Sequence, residues 1–260
     1  MNFNLSQIPQ RTAAPRSEGL TVVSDNGLNL GETENFLSVA HPYVDMVKLA
    51  YGSSYIMGPL KEKLAIYRRY QVPVYLGGLL FEAFLVRNQF HDYLQFIREY
   101  GITHIEISDG SINLSHADKC RYIEQLSRLG VVLSGVGSKD KDRVRVTPPY
   151  KWIEMMKAEL AAGARYVIAE ARENGTVGLY RDSGEVREGL VQEILTKIPA
   201  SDIIWEAPKK DQQLFFIKLL GCNVNLGNIA PGEVIPLETM RIGLRSDTFH
   251  VFLDKQQIWD

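Results

Sequence analysis

THIEISDGSINLSHADKCRYIEQLSRLGVVLSG, residues 103–135, contains a complete strand–helix–strand unit. Thr103–Ser108 and Val131–Gly135 are short runs of aliphatic and β-branched residues bounded by turn residues, which is typical of buried strands. Between them, Ser115–Leu129 has a helical period, and Ser115 is a suitable amino-terminal cap. Two buried strands joined through a helix are parallel, so this stretch predicts a parallel α/β sheet.

The same alternation continues along the chain. The predicted strands are Leu20–Ser24, Val44–Leu49, Val74–Gly77, Thr103–Ser108, Val131–Gly135, Arg165–Ala171, Asp202–Glu206 and Cys222–Leu226. The predicted helices are Gly31–Val39, Leu60–Tyr70, Phe81–Tyr100, Ser115–Leu129, Pro149–Ala162, Glu185–Lys197, Asp211–Leu219 and Ile235–Gly243. Eight such units in about this length fit a (β/α)8 TIM barrel. A doubly wound open sheet is the alternative, but no GxGxxG motif follows the first strand.

We therefore predict one barrel domain over residues 1–260, with a short amino-terminal arm at 1–18 and a carboxyl-terminal extension at 249–260. The net charge of −2 gives no bulk attraction for nucleic acid or an anionic membrane. The longest apolar runs, such as Val131–Val136, are far too short to span a bilayer, and we expect no signal peptide. The two cysteines are isolated and do not have the sequence spacing of metal ligands, which indicates buried reduced thiols in a cytoplasmic protein.

Three of the predicted strands carry a carboxylate at or near their carboxyl end: Glu106, Glu170 and Glu206. A buried acid without a partner is costly, so each must reach a counter-ion, a metal or water. Barrel enzymes place their active sites at the carboxyl ends of the strands, which makes an enzyme the first hypothesis. The three carboxylates are candidate ligands for Mg²⁺, which prefers oxygen. The alternative is that they pair with lysines and arginines of the barrel.

Two lysines are candidates for the same end of the barrel. Lys48 ends an otherwise apolar strand and must reach an anion, either a phosphate or carboxylate of a substrate or a barrel acid such as Glu106. Lys139 follows a glycine-bearing loop, where a lowered pKa suits an acid or base. Because Lys139 lies in the charge run 139–143, a solvated loop lysine is the alternative.

The end of the eighth predicted strand and the loop after it, with Asn225, Gly227 and Asn228, form a candidate phosphate site. Loops after the last two strands of a barrel often bind phosphate through backbone N–H groups, and Lys209 follows the seventh strand. Gly227 is equally explained as a turn residue. Arg16, just before the first strand, adds a donor with bidentate geometry.

The ordered set of motifs resembles the phosphosulfolactate synthase family from Arg16 to about Asp247. The matching motifs are Pro15-Arg16 with Gly19-Leu20-Thr21, Asp25 with Gly27, Asp45 with Lys48, Tyr51-Gly52-Ser53-Ser54, Gly77-Gly78 with Phe81-Glu82, Ile105-Glu106-Ile107-Ser108-Asp109-Gly110, Gly137 with Lys139-Asp140, Glu170-Ala171-Arg172-Glu173 with Gly175, Glu206-Ala207-Pro208 with Lys209 and Gln212-Gln213, Asn225-Leu226-Gly227-Asn228-Ile229, and Arg241 with Gly243-Leu244-Arg245.

The resemblance implies a Mg²⁺-dependent barrel that adds sulfite to C3 of phosphoenolpyruvate, giving (2R)-2-O-phospho-3-sulfolactate on the way to coenzyme M or sulfolactate. It implies that Lys139 is the general acid. The implied metal ligands or supporting acids are Glu106, Glu170 and Glu206. The implied binders of phosphate and carboxylate are Arg16, Lys48, Arg172, Lys209 and the Asn225–Asn228 loop with Gly227. We expect a homo-oligomer, because barrels commonly associate.

The chain departs from the family pattern at three places. Leu79 replaces the usual threonine, Gly135 replaces the usual glutamate, and Ala50-Tyr51-Gly52-Ser53 replaces Gly-Trp-Gly-Thr. Loss of a hydroxyl and a carboxylate predicts extra room beside a retained phosphoenolpyruvate site. Two alternatives follow: a paralogous lyase that adds a different nucleophile or an unsaturated acid to phosphoenolpyruvate, and a non-catalytic barrel that serves as a binding subunit.

Overall fold

The computed structural model describes residues 3–137, 147–172 and 174–253. Eight parallel strands close into a barrel in chain order, with the first strand paired to the last. They are β1 (Thr21–Asp25), β2 (Met46–Leu49), β3 (Val74–Leu76), β4 (His104–Ile107), β5 (Val131–Val136), β6 (Tyr166–Ala169), β7 (Ile203–Glu206) and β8 (Leu226–Ile229). The predicted (β/α)8 barrel is confirmed.

Helices alternate with the strands. They are α1 (Leu30–Ala40), α2 (Ser53–Ile56), α3 (Leu60–Arg69), α4 (Gly78–Leu85), α5 (Phe90–Glu99), α6 (His116–Ser127), α7 (Pro149–Ala161), α8 (Glu188–Leu195), α9 (Lys210–Leu220) and α10 (Val234–Arg241). Ser115 caps α6 as expected, because its side chain accepts a hydrogen bond from Asp118 N. Within the ranges given above, no helix is both long enough and apolar enough to cross a membrane.

The predicted single helix Phe81–Tyr100 is wrong, because two helices, α4 and α5, occupy this region. The chain turns at Asn88, whose φ of 56° is left-handed, a conformation that asparagine tolerates. Gln89 N then donates to the carbonyl of Phe84, closing the end of α4. Apolar periodicity continues across the turn, so the sequence pattern did not reveal the break.

The predicted last strand, Cys222–Leu226, is also wrong, because β8 begins where that prediction ends. Just before β8, the side chain of Asn225 forms hydrogen bonds with backbone groups of the neighbouring segments, where a strand would use its own backbone. Its Oδ1 accepts from Leu20 N at 3.0 Å, and its Nδ2 donates to the carbonyls of Ser201 and Ile203. Asn225 therefore closes the amino-terminal end of the barrel and does not lie at the mouth.

Two apolar cores fill the structure. The larger lies between the strands and the surrounding helices. The smaller fills the barrel interior and consists of Leu20, Val22, Met46, Tyr75, Leu133, Tyr166, Ile168 and Ile204. The interior is thus a packed core, and the carboxyl ends of the strands above it are left for polar residues.

Arg241 seals the opposite, amino-terminal end. Its guanidinium is fully buried and donates to the carbonyls of Cys222 and Val224, each at 2.7 Å, and to that of Leu20 at 3.1 Å. A guanidinium that binds three carbonyls at the strand ends ties the last strand and the first together. Both cysteines are free thiols as predicted, but they are half-buried, not buried.

We expect Arg241→Met to lower the free energy of unfolding by about 3 kcal/mol, because it removes the donor to the buried carbonyl of Val224 and one of the donors to those of Cys222 and Leu20. Arg121→Met is the matched control. The Arg121 side chain is largely exposed, so its ion pair with Asp118 contributes within about 1 kcal/mol. Urea denaturation of both variants tests this difference, and equal losses would show that Arg241 does not hold the barrel closed.

Candidate active site

A cavity of about 360 Å³ opens at the carboxyl ends of the strands. Its lining includes five residues that the sequence predicted for the site: Lys48, Glu106, Arg172, Glu206 and Asn228. It also includes residues that were not predicted as site residues, among them Ser24, Gly77, Gly78, Ser111 and Asn174. The predicted location of the site, at the mouth of the barrel, is therefore where the structure has a polar cavity.

Lys48 and Glu206 form a buried ion pair in this cavity. Lys48 Nζ donates to Glu206 Oε1 at 2.9 Å, and Glu206 Oε2 accepts from Ala171 N at 2.7 Å. Burial by itself lowers the pKa of Lys48, but Glu206, Glu106 and Tyr75 outweigh it and raise the pKa well above its ordinary value. Lys48 is thus a fixed cation. Of the alternative partners considered from the sequence, the acid it binds is Glu206 instead of Glu106.

The Lys48 ammonium retains capacity for a ligand. An ammonium carries three N–H donors, and one of them is bound to Glu206. Within the described part of the chain, Lys48 makes no other hydrogen bond. Because Lys48 lines the cavity, the remaining donors are available to a phosphate or carboxylate placed there.

Glu106 and Glu170 meet at a single hydroxyl. Ser108 Oγ lies 3.2 Å from Glu106 Oε1 and 3.0 Å from Glu170 Oε1, and all three side chains are buried. A serine hydroxyl has one hydrogen and cannot donate to both carboxylates at once. The second oxygen of Glu106 is buried and finds no hydrogen-bond partner among the described residues. This pair of oxygen ligands suits a hard cation that completes its shell with water and substrate oxygens, as Mg²⁺ does.

Gly78 and Gly135 provide the space for this arrangement. A Cβ at Gly135 would lie 2.5 Å from Glu170 Oε1 and 2.6 Å from Ser108 Oγ, and a Cβ at Gly78 would collide with Ser108. The expectation that Gly135 leaves open room is therefore wrong, because Glu170 and Ser108 fill that room. Leu79, by contrast, is 39% exposed and lines both the cavity and a neighbouring groove next to Tyr51.

Four predicted site residues lie elsewhere in the described structure. Arg16 binds Asp45 Oδ1 at 3.1 Å at the amino-terminal end of the barrel, where Asn225 also lies. Gly227 faces the barrel interior against Ile204, which explains the glycine by packing. Lys209 is exposed at the start of α9 and does not line the cavity.

The predicted general acid, Lys139, lies outside the described residues. The predicted three-carboxylate cluster is not assembled either. Among the residues that the structure describes, no three His, Cys, Asp or Glu side chains are grouped closely enough to hold a metal. Glu106 and Glu170 share Ser108, whereas Glu206 is bound to Lys48.

The sequence did not predict that Glu82 and Lys119, two of the buried charges on helices, contact the loop after β4. Glu82 on α4 accepts a hydrogen bond from Ser111 N at 2.7 Å, and Lys119 on α6 lies 3.0 Å from Asp109 Oδ1. A signal for Lys119 existed in the sequence, because it shares the buried face of α6 with Ile123 and Leu126 at helical spacing. Both charges hold the loop that follows β4, which forms one wall of the cavity.

Comparison with known proteins adds a family relationship to this geometry. Residues 9–247 match the family model described as ComA, (2R)-phospho-3-sulfolactate synthase. The phosphosulfolactate synthase of Methanothermobacter thermautotrophicus is 39% identical over 244 residues, covering 92% of this chain and 95% of the relative. That of Bacillus subtilis is 37% identical over 250 residues, covering 96% and 99%. That of Methanocaldococcus jannaschii is 39% identical over 235 residues, covering 89% and 94%.

Solved structures with the same barrel are more distant in sequence. 3-Hexulose-6-phosphate synthase from Salmonella typhimurium gives a TM-score of 0.55 at 13% identity, covering 86% of this chain and 99% of that one. Thiamine phosphate pyrophosphorylase from Pyrococcus furiosus gives 0.51 at 12% identity, covering 91% and 99%. At this level of identity the likeness concerns the fold alone.

We expect Gly135→Ala to displace Glu170 and to lower catalytic turnover by about 100-fold, since small misplacements of a site can cost this much. The loss of unfolding free energy should be only about 1–3 kcal/mol. Gly189→Ala on α8 is the control, because an added Cβ meets nothing within 4 Å there and should be neutral or stabilising. Normal turnover in Gly135→Ala would show that the space at this position is not required.

Glu206→Gln should lower the free energy of unfolding by about 3–5 kcal/mol, because it leaves Lys48 buried without its nearest counter-ion. Burial then lowers the pKa of Lys48, so the ammonium loses its proton at a lower pH than in the wild type. Calorimetric titration with inorganic phosphate across the pH range measures the result. We expect affinity to fall at a lower pH in Glu206→Gln, whereas Glu62→Gln, at an exposed position, should follow the wild type.

Proposed function

Because this chain belongs to the (2R)-phospho-3-sulfolactate synthase family, we propose that it adds sulfite to C3 of phosphoenolpyruvate in a Mg²⁺-dependent reaction. The protein is an enzyme of the lyase or synthase class, and its family implies a phosphorylated small-molecule substrate. The observation that carries the proposal is the cavity lined by the Lys48 cation and by Glu106, whose carboxylate meets that of Glu170 at Ser108.

The proposed reaction forms one bond to sulfur and one to hydrogen. The sulfur lone pair of sulfite attacks C3 of phosphoenolpyruvate, and the electrons of the C2–C3 double bond move through C2 into the carboxylate. A proton delivered to C2 then gives (2R)-2-O-phospho-3-sulfolactate, and the phosphate ester remains intact. The site must therefore stabilise negative charge that develops on the substrate carboxylate.

Lys48 is the group best suited to the substrate anion. It is held charged by Glu206, it lies in the cavity, and it retains donors for a carboxylate or phosphate. Arg172 and Asn228 line the same cavity and offer further donors. Arg16 and Asn225 are not part of this proposal, because they lie at the amino-terminal end of the barrel.

Glu106 and Glu170 are the proposed Mg²⁺ ligands, a choice supported by the buried Glu106 oxygen that finds no hydrogen-bond partner in the described part of the chain. An ion held by these two carboxylates would supply positive charge close to the substrate carboxylate, where negative charge develops. Glu206 differs from the other two acids, because its oxygens already accept bonds from Lys48 and Ala171. We therefore assign Glu206 to fixing the orientation and charge of Lys48.

Lys139 is the proposed proton donor to C2, on the basis of the family motif that it matches. We further propose that the enzyme acts in the cytoplasm, in keeping with its two free thiols. We also propose that it is a homo-oligomer. Light scattering after size-exclusion chromatography measures the oligomeric state directly, and a monomer at all concentrations would contradict it.

A second candidate is a lyase that joins a different nucleophile to phosphoenolpyruvate. One observation favours it: Leu79 stands between the cavity and an apolar groove lined by Tyr55, Leu80 and Phe84. A nucleophile with an apolar substituent would fit that groove. The two candidates differ in whether sulfite supports turnover at an enzymic rate.

Purified enzyme with Mg²⁺, phosphoenolpyruvate and sulfite should form phosphosulfolactate, identified by mass spectrometry and ³¹P NMR. Chelation of Mg²⁺ should abolish product, and restoring the ion should recover it. Lys48→Met should lower kcat/KM for phosphoenolpyruvate by about 100-fold, corresponding to loss of a charge-assisted hydrogen bond of up to about 3 kcal/mol. Lys61→Met, at an exposed ion pair, is the control. Substrate binding without any product from sulfite would instead favour the second candidate.

A further inference from the structure

Lys119 is a fully buried cation behind β5, outside the cavity. Its ammonium nitrogen lies 3.0 Å from Asp109 Oδ1 and 3.0 Å from Glu159 Oε1 on α7. It also donates to the carbonyl oxygen of Gly135. One ammonium thus joins a helix, the loop after β4 and the end of β5, and each of its three N–H groups has an acceptor.

The surroundings of Lys119 and Glu159 favour the charged form of both side chains. Burial by itself lowers the pKa of Lys119, but Glu159, Asp109 and Glu170 outweigh it, and the pKa is raised. Burial by itself raises the pKa of Glu159, but Lys119 and the contact with His116 bring it below its ordinary value. A buried ion pair is weak evidence for stability, since apolar residues often serve equally well. Its value is more often in fixing one arrangement.

The two segments that Lys119 holds flank the contact between Glu106 and Glu170. Asp109 follows Ser108, whose hydroxyl lies between the two carboxylates. Gly135 packs directly against Ser108 and Glu170 on the other side. A shift in either segment would therefore change the separation of the carboxylates. The far end of the same loop is held independently, because Glu82 accepts from Ser111 N.

We propose that Lys119 is a positioning residue, which fixes the loop after β4 and the end of β5 so that Glu106 and Glu170 meet at Ser108. It does not touch the cavity and acts only through the backbone segments that it holds. The link from this geometry to metal binding rests on the proposed function, whereas the positioning of the loop does not.

A purely electrostatic role of Lys119 and a positioning role predict opposite effects of Lys119→Met on the affinity for Mg²⁺. Removing a positive charge that lies near Glu170 would tighten binding of Mg²⁺ if charge alone mattered. Positioning predicts that binding weakens, because the two carboxylates lose their spacing. We expect calorimetry with Mg²⁺ alone to show about 10-fold weaker binding, which equals about 1.4 kcal/mol. We also expect a lower kcat with the KM for phosphoenolpyruvate within about twofold of the wild type, because Lys48 is untouched.

Hydrogen exchange provides a readout that is independent of the metal. In Lys119→Met, amides of residues 108–111 should exchange at least about 10-fold faster than expected from the global loss of stability. Arg241→Met is the matched control: it also replaces a buried cation with methionine, but at the opposite end of the barrel. It should lower stability without a local change at 108–111 and without changing the dissociation constant for Mg²⁺.

If Lys119→Met does not fold, Asp109→Asn tests the same tether at a position where the side chain is 26% exposed. The same local exchange is expected there. Unchanged or tighter Mg²⁺ binding in Lys119→Met, or unchanged local exchange in the variant that folds, would overturn the positioning role. If the wild type itself does not bind Mg²⁺, the metal part of the proposed function fails, and exchange alone still decides the role of Lys119.

Discussion

The ion pair between Lys48 and Glu206 divides the acids at the barrel mouth into two groups. Glu206 is fully engaged, by Lys48 on one oxygen and by Ala171 N on the other. Glu106 and Glu170 instead meet at one hydroxyl, that of Ser108. Because like charges so close together are costly, the contact between Glu106 and Glu170 would be stabilised by a cation, which is the basis of the proposed Mg²⁺ site, whereas Lys48 offers its charge to an anion. The polarity of the whole cavity follows from that division.

The packing around Glu106 and Glu170 depends on two neighbouring positions that carry no side chain. Gly78 and Gly135 leave no side chain where Ser108 and Glu170 lie. At Gly135 the comparison with the family pattern suggested a lost carboxylate, but the structure has Glu170 in that space. The family pattern considers only the side chain at position 135 on β5. The space at that position is filled by side chains of the neighbouring strands, because all strands contribute to the mouth of a barrel.

The sequence predicted the barrel and the residues whose charge interrupts a strand. Lys48, Glu106 and Glu206 stand out because each lies at the end of a buried apolar run, where a charge needs a partner. The sequence did not predict which group each of these charges binds, because pairing across the barrel depends on how far neighbouring strands are shifted along the barrel axis. Asn225 was placed at the wrong end because the run 222–226 satisfies strand preferences as well as Leu226–Ile229 does. Lys119 was missed because a lysine on a helix is usually solvated.

Buried cations serve opposite purposes at the two ends of this barrel. At the amino-terminal end, Arg241 distributes its donors over three backbone carbonyls and leaves the strands closed. At the carboxyl end, Lys48 lines the cavity and, among the described residues, donates a hydrogen bond to Glu206 alone. An ammonium suits the second task, because it is compact and rotatable, and a planar guanidinium suits the first. The buried cation that closes the barrel and the buried cation that lines the cavity therefore lie at opposite ends of the barrel axis.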